Sequence, residues 1–257
     1  MEYIIPGLAA FGASLLTFFS GFGLGTILAP VFALFFPIDV AIAMTGVVHF
    51  TNNIFKIILV GRNIDRVVLI RFGLPALLAS FAGAWLLLQI TSLPPLLDYQ
   101  MGDHFYAVTP VKLTIAILLL VFSLLEILPS VQKIQFGRDK LFIGGILSGF
   151  VGGLSGMQGA IRSAFLVKSG WNKEAYIATG VAIAGMVDIS RLSVYATRFA
   201  AASLHENISL LVFAIACAVA GAILGRKLLK KITLKFIQIL VAVLLAIIAI
   251  ALGLGWI

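Results

Sequence analysis

Two groups of polar side chains sit inside stretches that are otherwise apolar. His49, Asn52, Asn53 and Lys56 fall within residues 40–60, and Asp188 and Arg191, with Tyr195 on the same face, fall within 174–197. His49, Asn53 and Lys56 are spaced i, i+4, i+7, so one helix face carries all three. An ionisable group at the centre of a bilayer costs roughly 2.5–3.5 kcal/mol on insertion scales, which drives such residues toward the protein interior. Asp188 and Arg191, at i, i+3, suit a local ion pair. Lys56 lies two turns beyond His49, toward the cytoplasm, where a long side chain can snorkel. Each group has a structural reading (amides bonding neighbouring helices, a buried ion pair) and a functional one, the lining of a solute pathway. His49 is the first candidate to carry a proton, because imidazole changes charge near neutral pH; Asp188 is the second.

The backbone chemistry lies in two glycine-broken hairpins. SGFGLGTILAP runs from Ser20 to Pro30, and GGLSGMQGAIR from Gly152 to Arg162. Glycine runs at membrane depth are tolerated only where the freed backbone groups meet protein, water or ligand, and two at corresponding places in two halves point to a transport site. Half-helices starting near Gly25 and Gly159 would aim free N–H groups at the midplane, where donors and helix dipole together favour an oxyanion. Gly23, Gly25 and Gly156 would let the backbone approach a ligand, with close helix packing the competing explanation. Thr26 and Gln158 add side-chain donors. Arg162 falls in the first turn after the second break, where the dipole disfavours a cation unless Asp188 or a bound anion sits nearby. The expected binding set is Gly23, Gly25, Thr26, His49, Asn52, Asn53, Gly156, Gln158, Gly159, Arg162 and Arg191, with His49 and Asp188 for proton coupling. One buried acid is too few for a cation or metal site, and no cofactor is expected; the predicted ligand is a small anion.

The elements that must position these groups are membrane helices. Of 257 residues, 61% are hydrophobic and 11% charged, against roughly 25% charged in a soluble domain. Apolar segments read as 4–20 and 25–36 around the first break, 40–60, 67–90, 111–128, 141–154 and 158–168 around the second, 174–197, 207–225 and 236–255. The net charge of +8 is a topology signal rather than a nucleic-acid footprint. Basic residues mark the cytoplasmic connections: Arg62, Arg66 and Arg71; Lys133, Arg138 and Lys140; Lys168 and Lys173; Arg226, Lys227, Lys230, Lys231 and Lys235. The connection 91–110 carries Asp98, Asp103 and His104 but no Lys or Arg, placing it outside as a polar insertion too short to fold alone. Cys217 can form no internal disulfide, and Glu2 with no early Lys or Arg argues against a cleaved signal peptide.

Charge thus starts and ends the first hairpin outside and the second inside, with three crossings following each. An odd number of crossings per half turns the halves upside down relative to each other. A constant offset of 134 residues pairs Gly25 with Gly159, Ile27 with Ile161, Ala41 with Ala175, Thr45 with Thr179, Gly46 with Gly180 and Val47 with Val181. The expected fold is an all-α integral membrane protein, one transport domain over 1–257, built as inverted repeats of about 1–128 and 138–257.

At these residues the chain resembles the sulfite exporter TauE/SafE family, also called toluene sulfonate uptake permeases. The likeness rests on GFGLGTILAP followed by AIAMTGVVHFTNN, and on GGLSGMQGAIRSAFLV followed by AYIATGVAIAGMVD. The first half keeps the family proline as Pro30; the second has Ala164 there, and carries Gln158 and Arg162 where many relatives are apolar. The resemblance implies movement of a small sulfur-containing anion, sulfite or an organosulfonate, across a bacterial cytoplasmic membrane. Three sulfonate oxygens would match several N–H donors and a guanidinium. Phe19, Phe22, Phe50 and Phe165 could hold an organic tail or simply face core and lipid.

Three functions compete. A secondary transporter importing an anion works against the usual potential, at roughly 2.3 kcal/mol per charge per 100 mV, so uptake calls for coupling, most simply to protons; export could run down the potential. A passive anion channel shares the site and needs no coupling residue. A rhomboid-like intramembrane serine protease is raised by Gly153-Leu154-Ser155-Gly156 and by the His49, Asn53 pair, but the only later histidine, His205, lies in a predicted outside loop. A homodimer is compatible with the sequence.

Overall fold

The computed structural model describes residues 4–17, 24–128, 135–166, 173–201, 208–228 and 234–257. Gly23, Phe19, Phe22, Lys133, Lys168, His205, Lys230 and Lys231, named above, lie outside the described residues. The helices are α1 (Ile4–Thr17), α2 (Leu24–Ala33), α3 (Ile38–Val60), α4 (Arg66–Thr91), α5 (Pro110–Ile127), α6 (Leu141–Ser155), α7 (Gly159–Leu166), α8 (Lys173–Ala201), α9 (Ile208–Leu228) and α10 (Leu234–Gly253). Among the described residues, four segments are long and apolar enough to cross a membrane (Ile38–Leu59, Arg66–Thr91, Glu174–Ala196 and Ile208–Gly225), alongside shorter apolar helical segments. The chain is a multi-pass, all-α membrane protein in its crossing segments.

Local signals account for the boundaries. Asp65 caps α4, its carboxylate accepting from the amides of Val67 and Val68 at 2.9 and 3.1 Å. Thr109 caps α5 directly before Pro110, where a missing N–H costs nothing. Gly156 ends α6 in the left-handed region, at φ +78°.

Two helix pairs pack backbone to backbone. Gly145, Gly149 and Gly153 of α6 lie against the carbonyls of Phe72, Ala76 and Ser80 on α4, each so close that a side chain would not fit. Gly221 and Gly225 of α9 meet the carbonyls of Phe11 and Leu15 on α1 in the same way. α5 packs on α10, and α3 crosses α8 at the centre. Apolar side chains such as Ile58, Leu78, Trp85, Val212 and Ile247 cover the outer surface, as a lipid-facing surface requires.

Two features depart from the expectation. The connection 91–110 is not an irregular insertion: it folds into an antiparallel hairpin of β1 (Leu97–Met101) and β2 (His104–Val108). It is held by neighbours rather than by itself, with Tyr99 Oη donating to the Leu254 carbonyl at 2.6 Å and Lys112 Nζ to the Ala107 carbonyl at 3.3 Å. Second, α4 is interrupted by a π-helical turn at Leu69–Gly73, which hydropathy does not reveal.

Candidate functional site

The site grows from one carboxylate. Asp188, on α8, is fully buried, and both of its oxygens are used. Oδ1 accepts a two-pronged contact from Arg191, Nε at 2.9 Å and Nη2 at 2.8 Å. Oδ2 lies 2.7 Å from His49 Nδ1 and accepts from Asn53 Nδ2 at 2.9 Å. An ionised carboxylate only accepts, so the proton between Asp188 and His49 belongs on Nδ1. The i, i+4 spacing on α3 and the i, i+3 spacing on α8 therefore meet around a single acid.

The third nitrogen of Arg191 points elsewhere. Nη1 is buried with no hydrogen-bond partner, and a Cβ added to Gly156 would lie 2.5 Å from it. On the other side, a Cβ on Gly46 would lie 3.4 Å from Arg191 Cζ. The guanidinium is thus seated between α3 and the turn joining α6 to α7. A Cβ on Gly25 would come within 2.9 Å of the Gly156 carbonyl oxygen. The start of α2 and the end of α6 therefore touch: the two broken segments meet beside Arg191. Gly25 and Gly156, expected to let the backbone approach a ligand, also lie close to each other and to this arginine.

Other expected residues flank this junction. Asn52 accepts from Ser14 Oγ of α1 at 3.3 Å through Oδ1, while its Nδ2 is buried without a hydrogen-bond partner. Gln158 is buried; its main-chain carbonyl accepts from Ser148 Oγ at 3.2 Å and its Oε1 has no hydrogen-bond partner. Gly159 opens α7, and Thr26 is half-buried in the first turn of α2. Arg162 is buried in the first turn of α7, with Gly180 beside it: a Cβ there would lie 3.5 Å from Nε. Lys56 is 5% exposed, so its side chain is held inside the protein rather than snorkelling.

The electrostatic consequence is direct. Among the described residues the buried Lys, Arg, Asp and Glu side chains are three basic ones, Lys56, Arg162 and Arg191, and one carboxylate, Asp188. Excess buried charge is costly unless a counter-charge is present, and the donors at the junction of the breaks are of the kind an oxyanion uses.

The sequence reading missed the threonine-glycine pairs as site residues. Thr45 Oγ1 is buried without a hydrogen-bond partner, and Thr179 Oγ1 accepts from the Asp65 amide at 2.9 Å. Gly46 makes room for Arg191, and Gly180 lies beside Arg162 at ordinary contact distance. The signal was present, since the 134-residue offset superimposes the two pairs. Ser155 serves its own turn, donating to the Val151 carbonyl at 2.9 Å and accepting from the Met157 amide at 3.2 Å.

A family model described as sulfite exporter TauE/SafE matches residues 7–252. No curated protein and no solved structure matches the chain.

Proposed function

The chain belongs to the sulfite exporter TauE/SafE family, and from that premise we propose that it is a secondary transporter carrying a small sulfur oxyanion, sulfite or an organosulfonate, across a bacterial cytoplasmic membrane by alternating access. The family is one of membrane transporters. The observation that carries the rest is Arg191 beside the junction of the two broken segments, its Nη1 buried with no hydrogen-bond partner. A sulfur oxyanion bound there would accept from Arg191 Nη1, Asn52 Nδ2 and Thr45 Oγ1.

Coupling follows from the shared carboxylate. Arg191 and His49 both hold Asp188. An arriving anion draws on the Arg191 guanidinium, which leaves Asp188 freer to stabilise a protonated His49. Anion and proton would then occupy the site together, which lowers the charge moved across the membrane.

Inverted repeats supply the moving parts. In support of two equivalent halves, α1 packs on α9 as α6 packs on α4, α3 on α9 as α8 on α4, and α3 against α8 and α5 against α10 pair like with like. With the charge-derived topology, this pattern suits two halves rocking about a central site.

Flux of radiolabelled sulfite and of an aryl sulfonate into proteoliposomes, with and without a pH gradient, tests the reading. Arg162→Ala is expected to lose anion affinity, and His49→Ala to keep binding better than accumulation. Normal transport by both variants would place the site elsewhere; flux indifferent to the pH gradient would remove the proton.

A further inference from the structure

The π-helical turn of α4 borders a groove that the transport reading does not use. It is lined by Ile70 and Leu74 of α4 and Phe142 of α6 and by the polar Arg71, Arg138 and Asp139. Ile70 and Phe142 are 63% and 61% exposed. Arg71 is exposed, and among the described residues it makes no ion pair. Arg138 reaches Asp65 at 3.8 Å, a long contact whose arginine side chain stays 54% exposed.

The local charge is unbalanced. Arg62, Arg66, Arg71, Arg138 and Lys140 outnumber Asp65 and Asp139 over the two segments that form this end of the molecule. A groove lined by exposed apolar side chains together with arginines has the two-part polarity of a phospholipid, acyl chain and phosphate. A soluble anion would match the arginines but leave Ile70, Leu74 and Phe142 uncovered. A zwitterionic headgroup would bring its own cation to a groove that already carries a surplus of positive charge.

We propose that this groove seats an anionic phospholipid, its phosphate between Arg71 and Arg138 and an acyl chain along Ile70, Leu74 and Phe142. Within Leu69–Gly73, Ile70 and Arg71 face outward, while Phe72 is fully buried and packs on Phe165 of α7 at a centroid distance of 6.3 Å. A lipid on the outside of this turn therefore braces the segment against which the second half-helix rests. The proposal is independent of the transported solute, and either can fail alone.

The test uses the full chain, purified in a neutral detergent and offered phosphatidylglycerol or phosphatidylcholine of matched chain length, with bound lipid counted by native mass spectrometry. Wild-type protein is expected to retain phosphatidylglycerol preferentially. Arg71→Gln and Arg138→Gln should each reduce that preference about fivefold, the change expected for one surface cation near an anionic headgroup, and the double variant should bind both lipids alike. Equal retention of the two lipids by wild type, or an undiminished preference in a double variant that still elutes as a single species, overturns the proposal. So does equal competition by glycerol 3-phosphate, which would mark a site for a free phosphate.

Discussion

At the scale of single residues, Asp188 is the group on which the others depend. Its two oxygens hold Arg191, His49 and Asn53. Breaking a buried pair by removing one partner costs about 3–5 kcal/mol, because the remaining charge is left uncompensated, whereas an apolar pair of similar volume is often tolerated. Asp188→Asn should therefore lower the unfolding temperature and abolish transport, while Asp188→Leu combined with Arg191→Met should recover stability without activity. Thermal unfolding in detergent reads the first effect and vesicle flux the second; an Asp188→Asn protein as stable as wild type would show that the cluster is not a mutually dependent unit. The glycines offer a sharper contrast. Gly156→Ala would force an L side chain to φ +78° and into Arg191 Nη1, a strain of about 1–2 kcal/mol before the displaced arginine is counted. Gly180→Ala would meet Arg162 Nε at 3.5 Å, an ordinary contact. Transport should be lost in the first and preserved in the second.

At the scale of elements, glycine does two different jobs. At Gly25 and Gly156 it joins the broken segments; at Gly145, Gly149, Gly153, Gly221 and Gly225 it lets whole helices touch along their backbones. Gly149→Val and Gly221→Val should both destabilise the protein, since each side chain would be driven into a facing carbonyl. Gly12→Ala, on α1, would meet nothing within 4 Å and should leave the unfolding temperature unchanged or slightly raised. Helix positions were legible in the sequence: the expected 67–90 is Arg66–Thr91 and the expected 141–154 is Leu141–Ser155. Hydropathy and terminal prolines act locally, which is why they sufficed. The hairpin Leu97–Val108 was not legible, because much of its support comes from outside the segment, through contacts such as Tyr99 Oη to the Leu254 carbonyl. The π turn escaped for a related reason: it changes no residue's hydropathy, only the hydrogen-bond step.

At the scale of the whole molecule, the testable claim is orientation. The charge pattern puts the hairpin and the α6 entrance on opposite sides of the membrane. In a Cys217→Ala background, Asp103→Cys should react with a membrane-impermeant maleimide from outside intact cells, and Asp139→Cys only after permeabilisation. Both positions are exposed, so access to the side chain is not in question. Labelling of both from one side would end the odd-crossing argument and the inverted halves with it.

The amino-acid order alone settled that this is a membrane protein, where its helices run, and that cations exceed acids within them, because hydrophobicity and charge are summed along the chain. It also carried the family's pattern across nearly the whole length. What only the folded molecule decided is which polar groups share a partner. His49 and Asp188 are 139 positions apart, and no local rule brings them to 2.7 Å. The i, i+3 pairing of Asp188 with Arg191 was legible, but the residue order could not show that His49 and Asn53 take the carboxylate's other oxygen, or that Gly25 leans on the carbonyl of Gly156. Those pairings follow from α3 crossing α8 and from the two breaks ending at one point, and a crossing is a property of helices packed in space.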